Sequence, residues 1–376
     1  MTTLMSTGGI ERNLIRLCQE LTKRGHDVHL GSAKGSLVKE FEEAGGRHYD
    51  LFARTKLGLV GRLLETVRAA PRLLRLLKSL QPDVVHTQSA LTNATLFAIS
   101  PFWPARKRTP IISSVMGLED RPGESKFVVQ LRNFFLTMGV DRTLIIAPAI
   151  QAFLEQLPIP PERMVWRDVV GIEVPRLEAE RVEKVRRALG VLPGEKAVIT
   201  VGALAPRKSH ELFIDTAAII CRRRKDVKFF IAGDGWRRDE HARHIKALGL
   251  KGSIRLLGVR KDILDVIAAC DVLVKPGIVE GFIGITVLEA QSLKVPTAAF
   301  ETEDVKLAIV NGETGLTVPK KDIHGMAEAI TRLLEDSDLR HKVVEAGYQR
   351  VCERFSIESV VDGLVEQYEQ ERALRH

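Results

Sequence analysis

Short runs of β-branched and other apolar residues alternate with helix-patterned segments along almost the entire chain, and no other feature limits its fold so strongly. Such alternation does not build hairpins. It builds parallel strands joined by helical crossovers, with helices on both faces of each sheet. In the first half the spacing predicts strands over 27–31, 46–51, 82–87, 110–115, 142–147 and 164–167. In the second half it predicts them over 196–202, 227–233, 253–257, 271–275, 295–300 and 316–318. Helical patterns cover 11–24, 211–224, 323–335 and 357–372. The 376 residues exceed one ordinary domain and suit two of about 150–200 residues. The expected class is therefore α/β, with two doubly wound, Rossmann-like domains over 1–172 and 173–376 joined within 171–176. The final helix has no strand after it and is available to pack back on the first domain. Sheets of this kind bind ligands just outside the carboxyl ends of their strands, so the loops after strands are where chemistry is to be sought.

Charge narrows the partners. The net charge is +8, and residues 51–110 alone carry ten basic side chains against only Glu65 and Asp83. Val60, Leu63, Leu64, Val67, Leu74 and Leu77 recur there at helical spacing among Arg62, Arg68, Arg72, Arg75 and Lys78. That pattern predicts docking on an anionic membrane surface through 54–80 and 102–108, or else a core-packed helix with a solvated basic face. Pro71 is expected to kink or split this helix. A nucleic-acid partner is not expected, because the patch holds aromatics at one end only and no recognised module. Cys18, Cys221, Cys270 and Cys352 are far apart, which fits a reducing, cytoplasmic setting better than a disulfide framework or a zinc site. No apolar run reaches the roughly 18–20 residues of a bilayer span, and the opening residues do not read as a signal peptide.

Three loops carry candidate chemistry. After the strand at 196–202 comes Gly202 to Ser209, a G-x-x-x-x-R-K-S run one residue away from a phosphate-binding loop. Arg207 stands where the second glycine of that loop would let backbone wrap phosphate, which argues against a nucleotide triphosphatase. Arg207 and Lys208 at a helix start still suit a diphosphate, or simply begin a surface helix as a solvated pair, with Ser209 as N-cap. Gly233-Asp234-Gly235 follows the next strand without the third glycine of a dinucleotide fingerprint, so it reads as a tight turn. The third loop runs from Lys275 through Glu280, Gly281, Phe282, Ile283 and Gly284 into a helix bearing Glu289. Glycines there let helix-start N–H groups approach a ligand, and two carboxylates offer acceptors to sugar hydroxyls. Glu289 sits among Val287, Leu288 and Ala290, so it is expected to be buried.

Glu280-Gly281-Phe282, a glycine, an apolar helix and Glu289 together resemble the E-x7-E signature of the family-four (group 1) retaining glycosyltransferases of the GT-B fold. Other segments fall in that family's order: Gly8-Gly9-Ile10-Glu11, Arg24-Gly25-His26-Asp27-Val28, Pro82-Asp83-Val84-Val85-His86, Gly233-Asp234-Gly235 and Asn311-Gly312-Glu313-Thr314-Gly315. The resemblance runs from about residue 6 to residue 370. It implies an enzyme that moves a sugar from a nucleotide-sugar donor to a glycan or lipid-linked acceptor held by the first domain, with retention of configuration, in cell-surface polysaccharide or glycolipid synthesis. It implies that Lys208 and Arg207, with backbone N–H groups of Gly8 and Gly9, hold the donor diphosphate. Glu289 would bind the ribose, and Glu280 with Gly281 to Gly284 the donor sugar. His86 and Met116 mark the acceptor or sugar side, although His86 also reads as a satisfied strand-end histidine. No metal and no other cofactor is implied.

The chain departs from the family pattern in three places. Eight residues separate Glu280 from Glu289, as if Ile283 were inserted. Ala203 replaces a common arginine, and Met116 falls where relatives often place histidine. These departures leave room for a catalytically impaired member that binds nucleotide or glycan and regulates a partner. The glycines also arrive early, at Gly8 and Gly9, so the apolar strand that opens such domains is expected to be missing or reduced to a stub at 2–5.

Overall fold

The computed structural model describes residues 9–52, 58–115, 130, 133–134, 139–279 and 284–375. The chain forms two compact units. One comprises Met1–Gly171 with Ile357–His376, and the other Ile172–Ser356.

The described strands of the first unit are β1 (His29–Ser32), β2 (Arg47–Asp50), β3 (Val85–Thr87), β4 (Ile111–Ser114), β5 (Arg142–Ile145) and β6 (Met164–Trp166). All pair in parallel, β1 with β2 and β3-β4-β5-β6 in sequence order. The expected opening strand falls on residues outside the described ones. Helix Gly58–Leu80 covers this sheet and runs unbroken through Pro71. It turns Ala69, Leu73 and Leu77 into a core with Val85, Trp103 and Ile111. Pro71 therefore does not split the helix. It lies on the exposed side, where a lost N–H bond is least costly, and its carbonyl accepts from Arg75 Nε at 3.3 Å.

The closing helix Ile357–Ala373 belongs to this first unit. Val360, Val361 and Leu364 are buried, and charged pairs fix its register: Arg142–Glu371 at 2.6 Å, Arg167–Glu366 at 3.0 Å and Arg24–Asp362. The chain leaves the unit after Gly171 and returns at Ile357. Where it arrives in the second unit and departs from it, Ile172 N donates to Phe355 O at 2.8 Å.

The second unit holds β7 (Lys196–Val201), β8 (Val227–Ala232), β9 (Ile254–Gly258), β10 (Val272–Lys275), β11 (Thr297–Phe300) and β12 (Leu316–Val318). They form one parallel sheet in the order β12-β11-β10-β7-β8-β9. Ala197, Val198, Ile199, Val272 and Leu273 are fully buried, which is why these strands read as continuous apolar runs rather than alternating ones. Helix Ile323–Glu335 shows the complementary pattern, burying Met326, Ile330, Leu333 and Leu334 on one stripe. Its start is capped by Asp322, whose Oδ1 accepts from Gly325 N at 2.8 Å.

Candidate functional site

Strand order in the second unit reverses at β7. The chain proceeds outward through β8 and β9, then returns to place β10 on the other side of β7. Two loops diverging from adjacent parallel strands open a crevice at such a switch point. The loop after β7 carries Arg207 and Lys208, and the loop after β10 leads toward Glu289.

The β7 loop is set by its neighbour. Gly233, at φ +138°, lies so close that a Cβ there would stand 2.0 Å from Gly202 O. Only glycine fits, and the Gly-Asp-Gly turn is thus a packing device. Leu204 N donates to Asp234 O at 3.0 Å and Arg237 N to Leu204 O at 3.2 Å, pinning one loop to the other. Residues Pro206–Lys208 make one tight turn before helix His210–Arg223. Ser209 occupies the N-cap position but does not cap. It is left-handed (φ 49°, ψ 41°), and its hydroxyl points to Pro206 O at 3.5 Å. A non-glycine residue held there costs about 1–3 kcal/mol, a strain typical of functional turns.

Lys208 lays its stem on Gly202, with Cδ 3.3 Å from where a Cβ would be. Its pKa is pushed down to about 8, first by burial and then by Arg207 and Lys275. Lys275 ends β10, and its Nζ meets Asp304 Oδ2 at 3.1 Å. Asp304 is 3% exposed, and its other carboxylate oxygen has no partner. Nearby in sequence, the hydroxyl of Thr302 is also buried and unpartnered. Neither Lys275 as a site residue nor Asp304 is evident from sequence. The available signal was a lysine closing an apolar strand and an acidic residue in the first turn after the next one. Glu289 is buried in helix Ile285–Ser292 between fully buried Leu288 and Ala290. Gly284 directly precedes that helix. Glu280, Gly281, Phe282 and Ile283 lie outside the described residues, as do Gly8 and Met116.

In the first unit Gly9 opens helix Gly9–Lys23. His86, on β3, is held from both ring nitrogens: Nδ1 lies 2.6 Å from Tyr368 Oη and Nε2 2.6 Å from Ser114 Oγ. Burial pushes its pKa down to about 3. The basic stretch is less uniform than its sequence suggests. Arg106 turns inward, donating to Gly139 O at 2.8 Å and Asp141 at 3.0 Å. Arg72, Arg75, Lys78, Lys107 and Arg108 stay exposed, as do Leu64, Val67 and Phe102. No group of three metal-ligating side chains exists among the described residues. A D-x-D triplet, Asp336-Ser337-Asp338, is a helix start: Asp336 Oδ1 accepts from Leu339 N at 2.9 Å.

Comparison with known proteins decides the family. The glycosyl transferases group 1 model matches residues 181–350, and the glycosyltransferase family 4 model matches residues 7–166. Between them they take in most of both units. The chain is a group 1 glycosyltransferase. Its fold is GT-B: over 98% of this chain and 99% of the other it matches the crystal structure of Anabaena HepE in complex with UDP, at TM-score 0.83 and 18% identity. It is 33% identical to the alpha-D-kanosaminyltransferase of Streptomyces kanamyceticus over 50% of this chain and 48% of that one. It is 29% identical to the lipopolysaccharide core biosynthesis glycosyltransferase LpsE of Rhizobium meliloti over 50% and 54%. The chain thus aligns with about half the length of these curated relatives. In this group 1 glycosyltransferase the β7 loop and the Glu289 helix both lie within the matched region of the second unit.

Proposed function

We propose that the protein transfers a sugar from a nucleotide-sugar donor to a glycan or lipid-linked acceptor, with retention of configuration and without a metal ion. The observation that carries this reading is Lys208, half-buried at the sheet's switch point beside Arg207 and Lys275. Three cations near one crevice suit a diphosphate leaving group, and the partial burial of Lys208 and Lys275 strengthens the interaction relative to water. When the glycosidic bond breaks, the bonding electrons leave with the diphosphate, and Lys208 and Arg207 stabilise the charge that develops. Side-chain cations thereby supply what a metal supplies elsewhere. Glu289 holds the ribose hydroxyls, Glu280 and the segment through Gly284 hold the donor sugar, and Gly8 and Gly9 donate N–H groups to phosphate. The first unit holds the acceptor. UDP bound in the HepE structure supports a nucleoside diphosphate as the ligand class, and the LpsE relative supports a cell-surface glycan pathway.

We propose further that Arg72, Arg75, Lys78, Lys107 and Arg108, with exposed Leu64, Val67 and Phe102, rest on an anionic membrane surface. No helix among the described residues is long and apolar enough to cross a membrane.

Lys208→Ala tests the transfer reading. Release of nucleoside diphosphate from a sugar nucleotide, measured with a membrane extract as acceptor source, should fall about 100-fold or more, as for loss of an oxyanion donor. The circular dichroism and melting temperature should stay near those of the parent. A folded Lys208→Ala variant with unchanged turnover sinks the assignment.

A further inference from the structure

One buried ion pair in the second unit has a member, Asp304, that the diphosphate does not use. Lys275 and Asp304 close the ends of β10 and the loop after β11, adjacent strands of the sheet. Asp304 contributes Oδ2 to the ion pair and leaves Oδ1 without a hydrogen bond. Thr302, two residues earlier, is 2% exposed and likewise leaves its hydroxyl unmet. An ion pair in so dry a place is weak evidence for stability, and an unmet carboxylate oxygen makes it costly. Two neighbouring acceptor-capable groups left unsatisfied are better explained by something that arrives than by packing.

The position of the pair says where that group comes from. The Lys275 stem passes Gly284, with Cδ 3.3 Å from the point where a Cβ would stand. Gly277, in the same loop, comes within 3.2 Å of Arg207 O by the same measure. The Lys275 end of the pair therefore packs against the start of the Glu289 helix, and the loop that follows it touches the β7 loop. The chemistry says what the group is. A carboxylate is an acceptor only, and phosphoryl oxygens are acceptors too, so the diphosphate cannot satisfy Asp304. A hydroxyl can.

We propose that Asp304, oriented by Lys275 and flanked by Thr302, accepts a hydrogen bond from a hydroxyl of the sugar carried by the donor, and so helps to select which sugar nucleotide binds. This rests on the transfer reading above. Lys275 is a positioning residue here: it neutralises Asp304 enough for a carboxylate to stand near a diphosphate, and it fixes which oxygen faces the ligand.

The test is calorimetric binding of UDP, GDP and ADP, and of UDP-glucose, GDP-mannose and ADP-glucose, to the full chain and to Asp304→Asn and Thr302→Val. For the nucleotide that binds, Asp304→Asn should lower sugar-nucleotide affinity about tenfold or more. Affinity for the bare diphosphate should stay constant or rise, because a negative charge near the phosphates has been removed. Thr302→Val should lower the sugar nucleotide alone, by a smaller factor. Equal weakening of diphosphate and sugar nucleotide would place Asp304 on the ribose or in the scaffold and overturn the inference. So would unchanged affinity for both. If the parent binds no diphosphate at all, the transfer reading falls first and the inference with it.

Discussion

Lys208 shows how much a single residue's surroundings add to its identity. Its pKa of about 8 means that Lys208 is partly neutral just above physiological pH. A bound diphosphate favours the charged form and raises that pKa, so binding takes up a proton wherever pH exceeds about 8. Affinity for the diphosphate should then be flat below about pH 8 and fall above it, by up to about tenfold per pH unit. Calorimetry between about pH 7 and about pH 9.5 reads this directly. Lys208→Arg, always charged, should flatten the profile, and a parent profile already flat would remove Lys208 from the phosphate. Such a lysine was legible in sequence because its signal is local: a strand, a short loop and a basic pair before a helix. The Lys275–Asp304 pair was not. Its partners lie in different loops, and only the pairing of β10 with β11 brings them together.

Among the elements, strands were the most readable. All twelve described strands fall where apolar runs place them, with ends that differ by one to three residues at most sites, because an apolar run extends beyond the residues that pair in the ladder. Capping was less readable. Ser209 has the right residue type and position for a cap, yet the turn that presents Lys208 forces it left-handed. The helix Gly58–Leu80 illustrates why apolar spacing alone is ambiguous. One of its faces, Ala69, Leu73 and Leu77, is core, while Leu64 and Val67 are 45% and 71% exposed among basic residues. The sequence pattern merged the two faces into one. If the outer face meets a membrane, sedimentation with vesicles containing phosphatidylglycerol should be strong at low salt and fall steeply as salt rises. Replacing Arg72, Arg75 and Lys78 by glutamine should abolish most of it, whereas equal binding to neutral phosphatidylcholine vesicles would count against the patch.

At the scale of the whole molecule, the first unit is built from two separated stretches of chain, Met1–Gly171 and Ile357–His376. Removing the second stretch should therefore damage a unit far away in sequence. Without residues 357–376, Arg142 and Arg167 lose their carboxylate partners, Arg24 keeps only Glu20, and Tyr368 no longer holds His86. Hydrogen exchange should show lost protection in β3 to β6, with the sheet of the second unit unaffected; uniform loss across both units would contradict this division. The same arrangement fixes the order of events at the ribosome. The first unit begins to emerge first yet waits for its closing helix until the entire second unit has been translated. During that interval the half-built first unit leaves its apolar helix-binding face uncovered, and synthesis of this chain becomes sensitive to chaperone supply at a moment set by its topology.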